Sequence, residues 1–152
     1  MISLPFLGSL YYATAGRGAF RDEHPIAASG TDSLSAAIVS IGDYEVGQDA
    51  EKKNRTASAV TSALAASVQR IRMIGSAAID LAWVAEGKLD ATVILANEPW
   101  DTSAGVLIAR EAGAAVLDRD GSSHGLDSTA TIAFAPPLAI ELLPLLKRAL
   151  DR

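Results

Sequence analysis

Residues 99–113 read Pro-Trp-Asp-Thr-Ser-Ala-Gly-Val-Leu-Ile-Ala-Arg-Glu-Ala-Gly, and this stretch decides how the chain is expected to fold. Small and apolar residues dominate it, so the pattern predicts a helix that Asp101 opens and that runs to about Ala112, with Gly113 ending it. A carboxylate at a helix start can cap the helix, or it can ligate Mg²⁺ or bind a substrate hydroxyl. Spacing alone favours the cap for Asp101, although one oxygen can cap while the other binds.

The segments after residue 75 alternate between strand and helix patterns. Ser76 can cap a helix, and the uncharged run after Asp90 is typical of a strand that is covered on both faces. The predicted elements around the Asp101 helix are a helix over 77–86, strands over 90–95, 115–117 and 129–135, and a last helix over 136–150 that Pro144 kinks or divides. This alternation predicts a layered α/β chain.

In the first 75 residues, a glycine-rich turn signal lies between two β-prone segments. The β-prone segment Leu10–Ala15 is followed by Gly16-Arg17-Gly18 and Ala19-Phe20, which predicts a hairpin. The remaining predictions here are a strand over 35–41, a helix over about 49–70 and a short strand over 72–74.

Gly75-Ser76-Ala77 is the second candidate for a ligand site. A glycine before a helix that begins with small residues leaves free N–H groups that a ligand can approach closely. The alternative is a tight strand-to-helix turn with a serine cap, and the residues alone favour that alternative.

Composition narrows the class of protein. The chain has 152 residues, of which 49% are apolar and only 5% aromatic, so one domain with a core of Ala, Leu, Ile and Val is expected. A net charge of −5 argues against a nucleic-acid partner. The absence of cysteine excludes a thiolate zinc site and a thiol nucleophile. No signal peptide or membrane-length apolar run is found, so a soluble cytoplasmic protein without a membrane partner is expected.

Taken together, these blocks resemble the inositol monophosphatase family of Mg²⁺-dependent phosphomonoesterases. The most specific part is Pro99–Gly105 followed by Glu111-Ala112-Gly113, which is similar to the family motif Trp-Asp-x-x-Ala-Gly ahead of Glu-Ala-Gly. Further similar blocks are 72–81, 84–91, and the early segments 7–13 and 16–20, which look like the mid-chain hairpin of the family. The resemblance covers nearly the whole chain, but only the C-terminal part of the family.

The resemblance implies an α/β fold with a layered mixed sheet and helices, like the C-terminal portion of the αβαβα sandwich of the family. Residues 1–152 would form a single, N-terminally truncated domain, with 1–45 as the remainder of a first sheet and 46–152 as a second α/β layer. It also implies that Asp101 ligates one metal ion and contacts a substrate hydroxyl, and that Gly75, Ser76 and Ala77 line the alcohol side of a small phosphorylated alcohol. Ile94 replaces the acidic residue that members acting on inositol phosphate often carry, which argues against myo-inositol 1-phosphate.

The metal-binding motifs that the family carries further upstream are absent. The sequence contains no Glu-Glu pair and no Asp-Pro-x-Asp-Gly-Thr. Because phosphoester hydrolysis with two metal ions needs several carboxylates, Asp101 alone leaves the Mg²⁺ site incomplete. We therefore expect no complete catalytic set and no meaningful turnover by the isolated chain, with a homodimer or a complementing N-terminal half as possible partners. The alternative is a non-catalytic binding or assembly module on the same scaffold.

Overall fold

Two β-sheets alternate with two pairs of α-helices in the computed structural model of this chain, which describes residues 1–151 apart from the side chain of Lys53. Arg152, the last residue of the expected domain, lies outside the described residues. Within the described part of the chain, no helix is long and apolar enough to cross a membrane.

The first sheet is a four-stranded antiparallel meander. Its strands are β1 (Ile2–Leu4), β2 (Ser9–Ala13), β3 (Ala19–Arg21) and β4 (His24–Ile26). The predicted hairpin is confirmed, because β2 and β3 pair with Tyr12 opposite Phe20. The turn between them contains Gly16 and Gly18 at φ angles of 73° and 79°, a conformation that favours glycine.

The second sheet has five strands and is mixed. Its strands are β5 (Ile38–Ile41), β6 (Arg70–Arg72), β7 (Ala91–Ile94), β8 (Ala115–Leu117) and β9 (Thr131–Phe134), in the spatial order β6-β5-β7-β9-β8. Strands β6, β5 and β7 run parallel, whereas β9 is antiparallel to both of its neighbours. The expected layered α/β fold with a mixed sheet is confirmed.

Two boundaries differ from the expected ones. The first sheet ends at Ile26 and β5 already pairs with β7 in the second sheet, so the expected division at residue 45 comes too late. Strand β6 covers 70–72 instead of 72–74, because Ile71 is held in register beside the fully buried Val39. Packing between distant segments sets both boundaries.

The helices form two layers. They are α1 (Ala50–Ala65), α2 (Ala77–Ala85), α3 (Pro99–Glu111) and α4 (Ala139–Leu150). Helices α2 and α3 are buried between the two sheets, and α1 and α4 cover the other face of the second sheet. Helix α1 ends five residues earlier than predicted. Pro136–Leu138 forms a separate 3₁₀ turn, and Pro144 lies inside α4 without dividing it.

Two glutamates tie the first sheet to the buried helices. Glu111, at the end of α3, accepts hydrogen bonds from the backbone N–H groups of Gly16 and Gly18, at 2.8 and 2.9 Å. Glu86, after α2, accepts hydrogen bonds from the Tyr11 hydroxyl and the Arg21 guanidinium. The Gly-Arg-Gly and Glu-Ala-Gly blocks of the sequence are therefore partners across the sandwich.

Helices α2 and α3 approach each other most closely at Gly105. A Cβ atom added there would lie 2.6 Å from both Cβ and Cδ1 of Leu81, which is fully buried. Because Cβ is fixed to the backbone, Leu81 cannot relieve such a contact by changing its rotamer. Position 105 therefore requires glycine for reasons of packing.

We expect Gly105→Ala to lower the free energy of unfolding by about 1–3 kcal/mol through overpacking, although alanine is the better helix former by about 1 kcal/mol. Urea unfolding followed by tryptophan fluorescence measures the change. The matched control is Gly30→Ala, since a Cβ atom at Gly30 meets nothing within 4 Å. Equal stability of the two variants would contradict the close contact.

Candidate functional site

A cavity of about 1110 Å³ opens at the edge of the second sheet where the parallel strands β5, β6 and β7 end. Ligands of α/β proteins bind preferentially at this edge, because the loops that leave the strands converge there. All four residues that the sequence analysis selected lie in its wall: Gly75, Ser76, Ala77 and Asp101. The starts of α1, α2 and α3 border the same cavity.

Asp101 lies in the first turn of α3 without capping the helix. The helix begins at Pro99, with Glu98 in the cap position, so the prediction that Asp101 opens the helix is wrong. Proline fits the first helical position because its φ angle is preset and it lacks an N–H to satisfy. The Asp101 side chain is exposed and makes no hydrogen bond or ion pair with any described residue. Its carboxylate is therefore available to a ligand in the cavity.

The turn from Gly75 to Ala77 leads from β6 into α2. Gly75 has a φ angle of 78°, and Ser76 occupies the cap position with extended backbone, as predicted. The Ser76 hydroxyl nevertheless forms no capping hydrogen bond within the described structure. The first N–H groups of α2 therefore lack a side-chain acceptor beside the cavity, which is the arrangement that suits an anionic or hydroxyl ligand.

The sequence analysis missed Asp43, which follows β5. A Cβ atom on Gly75 would lie 3.3 Å from Oδ2 of Asp43, so this carboxylate rests against the turn that begins α2. Asp43 makes no hydrogen bond or ion pair with any other described residue. The signal that finds it is topological: Gly42-Asp43 closes a strand whose parallel neighbour leads to Gly75.

Asp80, the second missed carboxylate, lies below this turn. Asp80 is 2% exposed and borders the cavity. Its Oδ1 atom has no hydrogen-bond partner among the described residues. The hydroxyls of Ser40 and Thr92 are also buried without such a partner. They lie opposite each other on β5 and β7 and face the layer of α2, because Val39 and Val93 point into the core on the other side.

Burial raises the pKa of Asp80 to about 6. The nearby Ser40 hydroxyl lowers this pKa in part, and the negative charge of Asp43 raises it. Asp80 and Asp43 are thus close enough to interact electrostatically through the start of α2.

The cavity wall beside the loop after β5 is apolar at Ile94. This side chain is buried at the end of β7, and its Cγ2 would lie 3.7 Å from a Cβ atom on Gly42. The loop after β5 therefore packs directly on Ile94. This is the position where the resemblance places an acidic residue in members that act on inositol phosphate.

A complete metal site is absent from the part of the chain that the structure describes. No group of three or more His, Cys, Asp or Glu side chains is placed there to hold a metal ion. The free carboxylate of Asp101 fits Mg²⁺ as one oxygen ligand, and among the described residues it belongs to no group of three or more such ligands.

The inositol monophosphatase family model matches residues 1–148 of the chain. Inositol-1-monophosphatase ImpA of Mycolicibacterium smegmatis is 31% identical over 144 residues, which cover 95% of this chain and 52% of that protein. Inositol-1-monophosphatase SuhB of Mycobacterium tuberculosis is 37% identical over 144 residues, which cover 92% of this chain and 48% of that protein. The chain therefore spans about half the length of the curated relatives that it matches.

Two solved structures share the fold of this chain over about half of their own length. The Thermotoga maritima IMPase superimposes with a TM-score of 0.84 at 29% identity, over 97% of this chain and 54% of that one. The extragenic suppressor protein suhB of Bartonella henselae gives a TM-score of 0.81 at 30% identity, over 97% of this chain and 56% of that one.

The raised pKa of Asp80 predicts a pH-dependent stability that Asp80→Asn removes. Because the carboxyl holds its proton more tightly in the folded than in the unfolded chain, its contribution is fully present below about pH 4 and is lost as the pH rises through about 6. From pH 4 to pH 7 we expect the free energy of unfolding of the wild type to fall by up to about 3 kcal/mol relative to Asp80→Asn. Urea unfolding across this range measures the difference, with Asp127→Asn as the control. Parallel profiles for the wild type and Asp80→Asn would contradict the prediction.

Proposed function

The chain belongs to the inositol monophosphatase family, and from this premise we propose that it supplies the substrate-side part of a Mg²⁺-dependent phosphomonoesterase that hydrolyses a small phosphorylated alcohol. The cytoplasmic location expected from the sequence stays a prediction.

The observation that carries this proposal is the free carboxylate of Asp101. It borders the same cavity as the glycine turn at Gly75, and it is engaged neither in a helix cap nor in an ion pair with a described residue. We assign one carboxylate oxygen of Asp101 to Mg²⁺ and the other to a substrate hydroxyl, since carboxylates are the preferred ligands of this ion. The residues from Gly75 to Ala77 then present backbone N–H groups to the alcohol part of the substrate.

A bound Mg²⁺ would polarise the phosphoryl oxygen and help to generate the attacking hydroxide. Asp101 would hold it on the alcohol side of the cavity, and the described residues contain no group of three or more acidic, His or Cys side chains placed to hold a metal ion. We therefore propose that the isolated chain has negligible turnover and that a complementing N-terminal half supplies the remaining ligands.

Phosphate release tests this proposal directly. We expect no Mg²⁺-dependent release above the Asp101→Asn background when the purified chain is given inositol phosphate, histidinol phosphate or adenosine 3′,5′-bisphosphate. Robust phosphate release that Asp101→Asn abolishes would establish the phosphatase activity. It would contradict the proposal that the Mg²⁺ site of the isolated chain is incomplete.

Binding tests the role of Asp101 without turnover. We expect Asp101→Asn to weaken the binding of a phosphorylated alcohol in the presence of Mg²⁺ by about tenfold, the loss of roughly one charge-assisted contact. Asp127→Asn removes a carboxylate that does not border the cavity, and it should leave the affinity unchanged. Equal affinities for the wild type and Asp101→Asn would remove the basis of the proposal.

The exposed apolar side chains near the first sheet favour a second candidate, a non-catalytic assembly module. Phe6 is fully exposed, and Met1, Leu7 and Leu10 are also accessible on or next to β1 and β2. Strand β1 pairs on one side only, with β2, so its other edge is open for a further strand within the described structure. A dimer through this edge would cover these side chains.

Light scattering coupled to size exclusion distinguishes the two candidates. The assembly module predicts a symmetric dimer that Leu10→Lys converts to monomers, because a charge would then be buried at the interface. Ile140→Lys is the control, since Ile140 is more accessible than Leu10, at 85% against 36%, but lies on α4. A monomeric wild type would contradict the assembly module and favour the role as part of a phosphomonoesterase.

A further inference from the structure

A second, smaller cavity lies between α3 and the loop of residues 118–130 that joins β8 to β9. Its volume is about 190 Å³, and among the described residues only Asn97 borders both this cavity and the larger one. A cavity of about 150 Å³ already holds a molecule the size of benzene, so a small organic ligand fits here. Asp101 does not border this second cavity, and a ligand in it would not depend on Asp101.

A chain of hydrogen bonds fixes the tautomer of His124, which is only 8% exposed and borders the second cavity. The Asn97 amide donates to the Ser128 carbonyl at 3.2 Å, so its Oδ1 atom is the acceptor for the Thr131 hydroxyl, at 3.0 Å. That hydroxyl has given its only hydrogen to Asn97, and it therefore accepts a hydrogen bond from Nε2 of His124, at 2.9 Å. In its neutral form the imidazole thus carries its proton on Nε2, and Nδ1 has a free lone pair.

The Nδ1 atom of His124 is open to the cavity. It forms no hydrogen bond with a described residue, and it is not among the unpartnered atoms that are closed off from solvent. Burial and the positive charge of Arg110 lower the pKa of His124, while Asp118 raises it in part, so the ring is neutral at pH 7. A ligand that satisfies the neutral Nδ1 atom must therefore bring an O–H or N–H donor.

Arg110 supplies a positive charge at the same cavity. One guanidinium nitrogen donates to the backbone carbonyl of His124 at 2.6 Å, which holds the guanidinium beside this residue. Arg110 forms no ion pair with a described residue. Asp118 accepts hydrogen bonds from the backbone N–H groups of Arg119 and Ala130, and it does not border the cavity. The remaining N–H groups of Arg110 are suited to the two oxygens of a ligand carboxylate.

Most of the remaining cavity wall is hydrocarbon. Four apolar residues contribute to it: Pro99, Val106, Leu107 and Leu126. The hydroxyls of Thr102 and Ser103 donate to backbone carbonyls at the start of α3, so their hydrogens are already used. Leu107 and Leu126 are 37% and 74% exposed, and an aliphatic ligand would remove part of this surface from water. Few polar groups within an apolar wall are typical of a small-molecule site.

We propose that this cavity binds a small aliphatic 2-hydroxy acid. Arg110 binds the carboxylate, Nδ1 of His124 accepts the hydrogen of the 2-hydroxyl group, and Leu107 and Leu126 cover the aliphatic part. The carboxylate and the hydroxyl of such an acid are on adjacent carbon atoms. This suits a guanidinium that is tied to the residue carrying the imidazole.

Three matched ligands test the site in the wild-type chain. They are 2-hydroxy-4-methylpentanoate, 4-methylpentanoate, which lacks the hydroxyl, and 2-hydroxy-4-methylpentanamide, which lacks the charge. Titration of backbone amide NMR signals measures their affinities. We expect the hydroxy acid to bind about three- to tenfold more tightly than 4-methylpentanoate, the size of one hydrogen bond. It should bind about tenfold more tightly than the amide, the size of one charge-assisted contact.

Two substitutions test the assigned contacts separately. Arg110→Gln keeps a donor for the His124 carbonyl but removes the charge, so the hydroxy acid and its amide should bind equally. His124→Gln keeps an N–H donor for Thr131 but removes Nδ1, so the preference for the hydroxyl should fall to about one. Arg148→Gln is the matched control, since it removes an exposed cation of α4 that borders neither cavity. The amide spectra verify that each variant is folded.

Asp101→Asn separates this site from the proposed function, because it should leave the affinities for all three ligands unchanged. The site is overturned if the wild type binds the three ligands equally or shows no saturable binding of the hydroxy acid. Signal changes centred on the turn at Gly75, or preferences that both Arg110→Gln and His124→Gln leave intact, would also overturn it. The comparison of ligands by the wild type needs no substitution, so it decides the question even if a variant fails to fold.

Discussion

The contact between Gly105 and Leu81 is the constraint on which the rest of the structure depends. Helices α2 and α3 are covered by a sheet on each face, so their side chains cannot expand outward if the helices are forced apart. A glycine at the crossing lets the helices meet at a distance that no other residue permits. Because both helices begin at the cavity, the same contact brings Ser76 and Asp101 to one place. The packing of an apolar core thus determines the geometry of a polar site.

The first sheet is held on this helix pair by carboxylates as well as by apolar contacts. Glu86 and Glu111 lie at the ends of α2 and α3 that are remote from the cavity, and both receive hydrogen bonds from the first sheet. The helix pair therefore has two different ends. One end uses its acidic residues for internal bonds, whereas Asp101 at the other end and Asp43 in the loop after β5 border the cavity without a hydrogen bond or ion pair to a described residue. This division indicates which carboxylates serve the fold and which are available for a ligand.

Local patterns in the sequence predicted those parts of the structure that local chemistry determines. Glycines at positive φ and β-prone tyrosines gave the hairpin, and the small-residue helix starts led to Gly75, Ser76, Ala77 and Asp101, which all border one cavity. The start of α3 differs from the expected one because the cap preference of aspartate favours residue 101, whereas Pro99 occupies the first helical position. Asp43 and Asp80 were missed because neither belongs to a recognisable motif. Their position arises from parallel strand pairing, which brings Asp43 against Gly75 across 32 positions (75 − 43) of the sequence and which no local pattern encodes.

The contact of Asp43 with Gly75 links two loops that are far apart in the sequence. Gly75 is constrained twice, by its left-handed backbone and by the carboxylate 3.3 Å from where its Cβ would be. A larger residue at 75 is strained first by this backbone conformation, and the Asp43 carboxylate, as the end of a flexible side chain, would have to turn away from it. The absence of a side chain at position 75 therefore lets the Asp43 carboxylate rest against the start of α2.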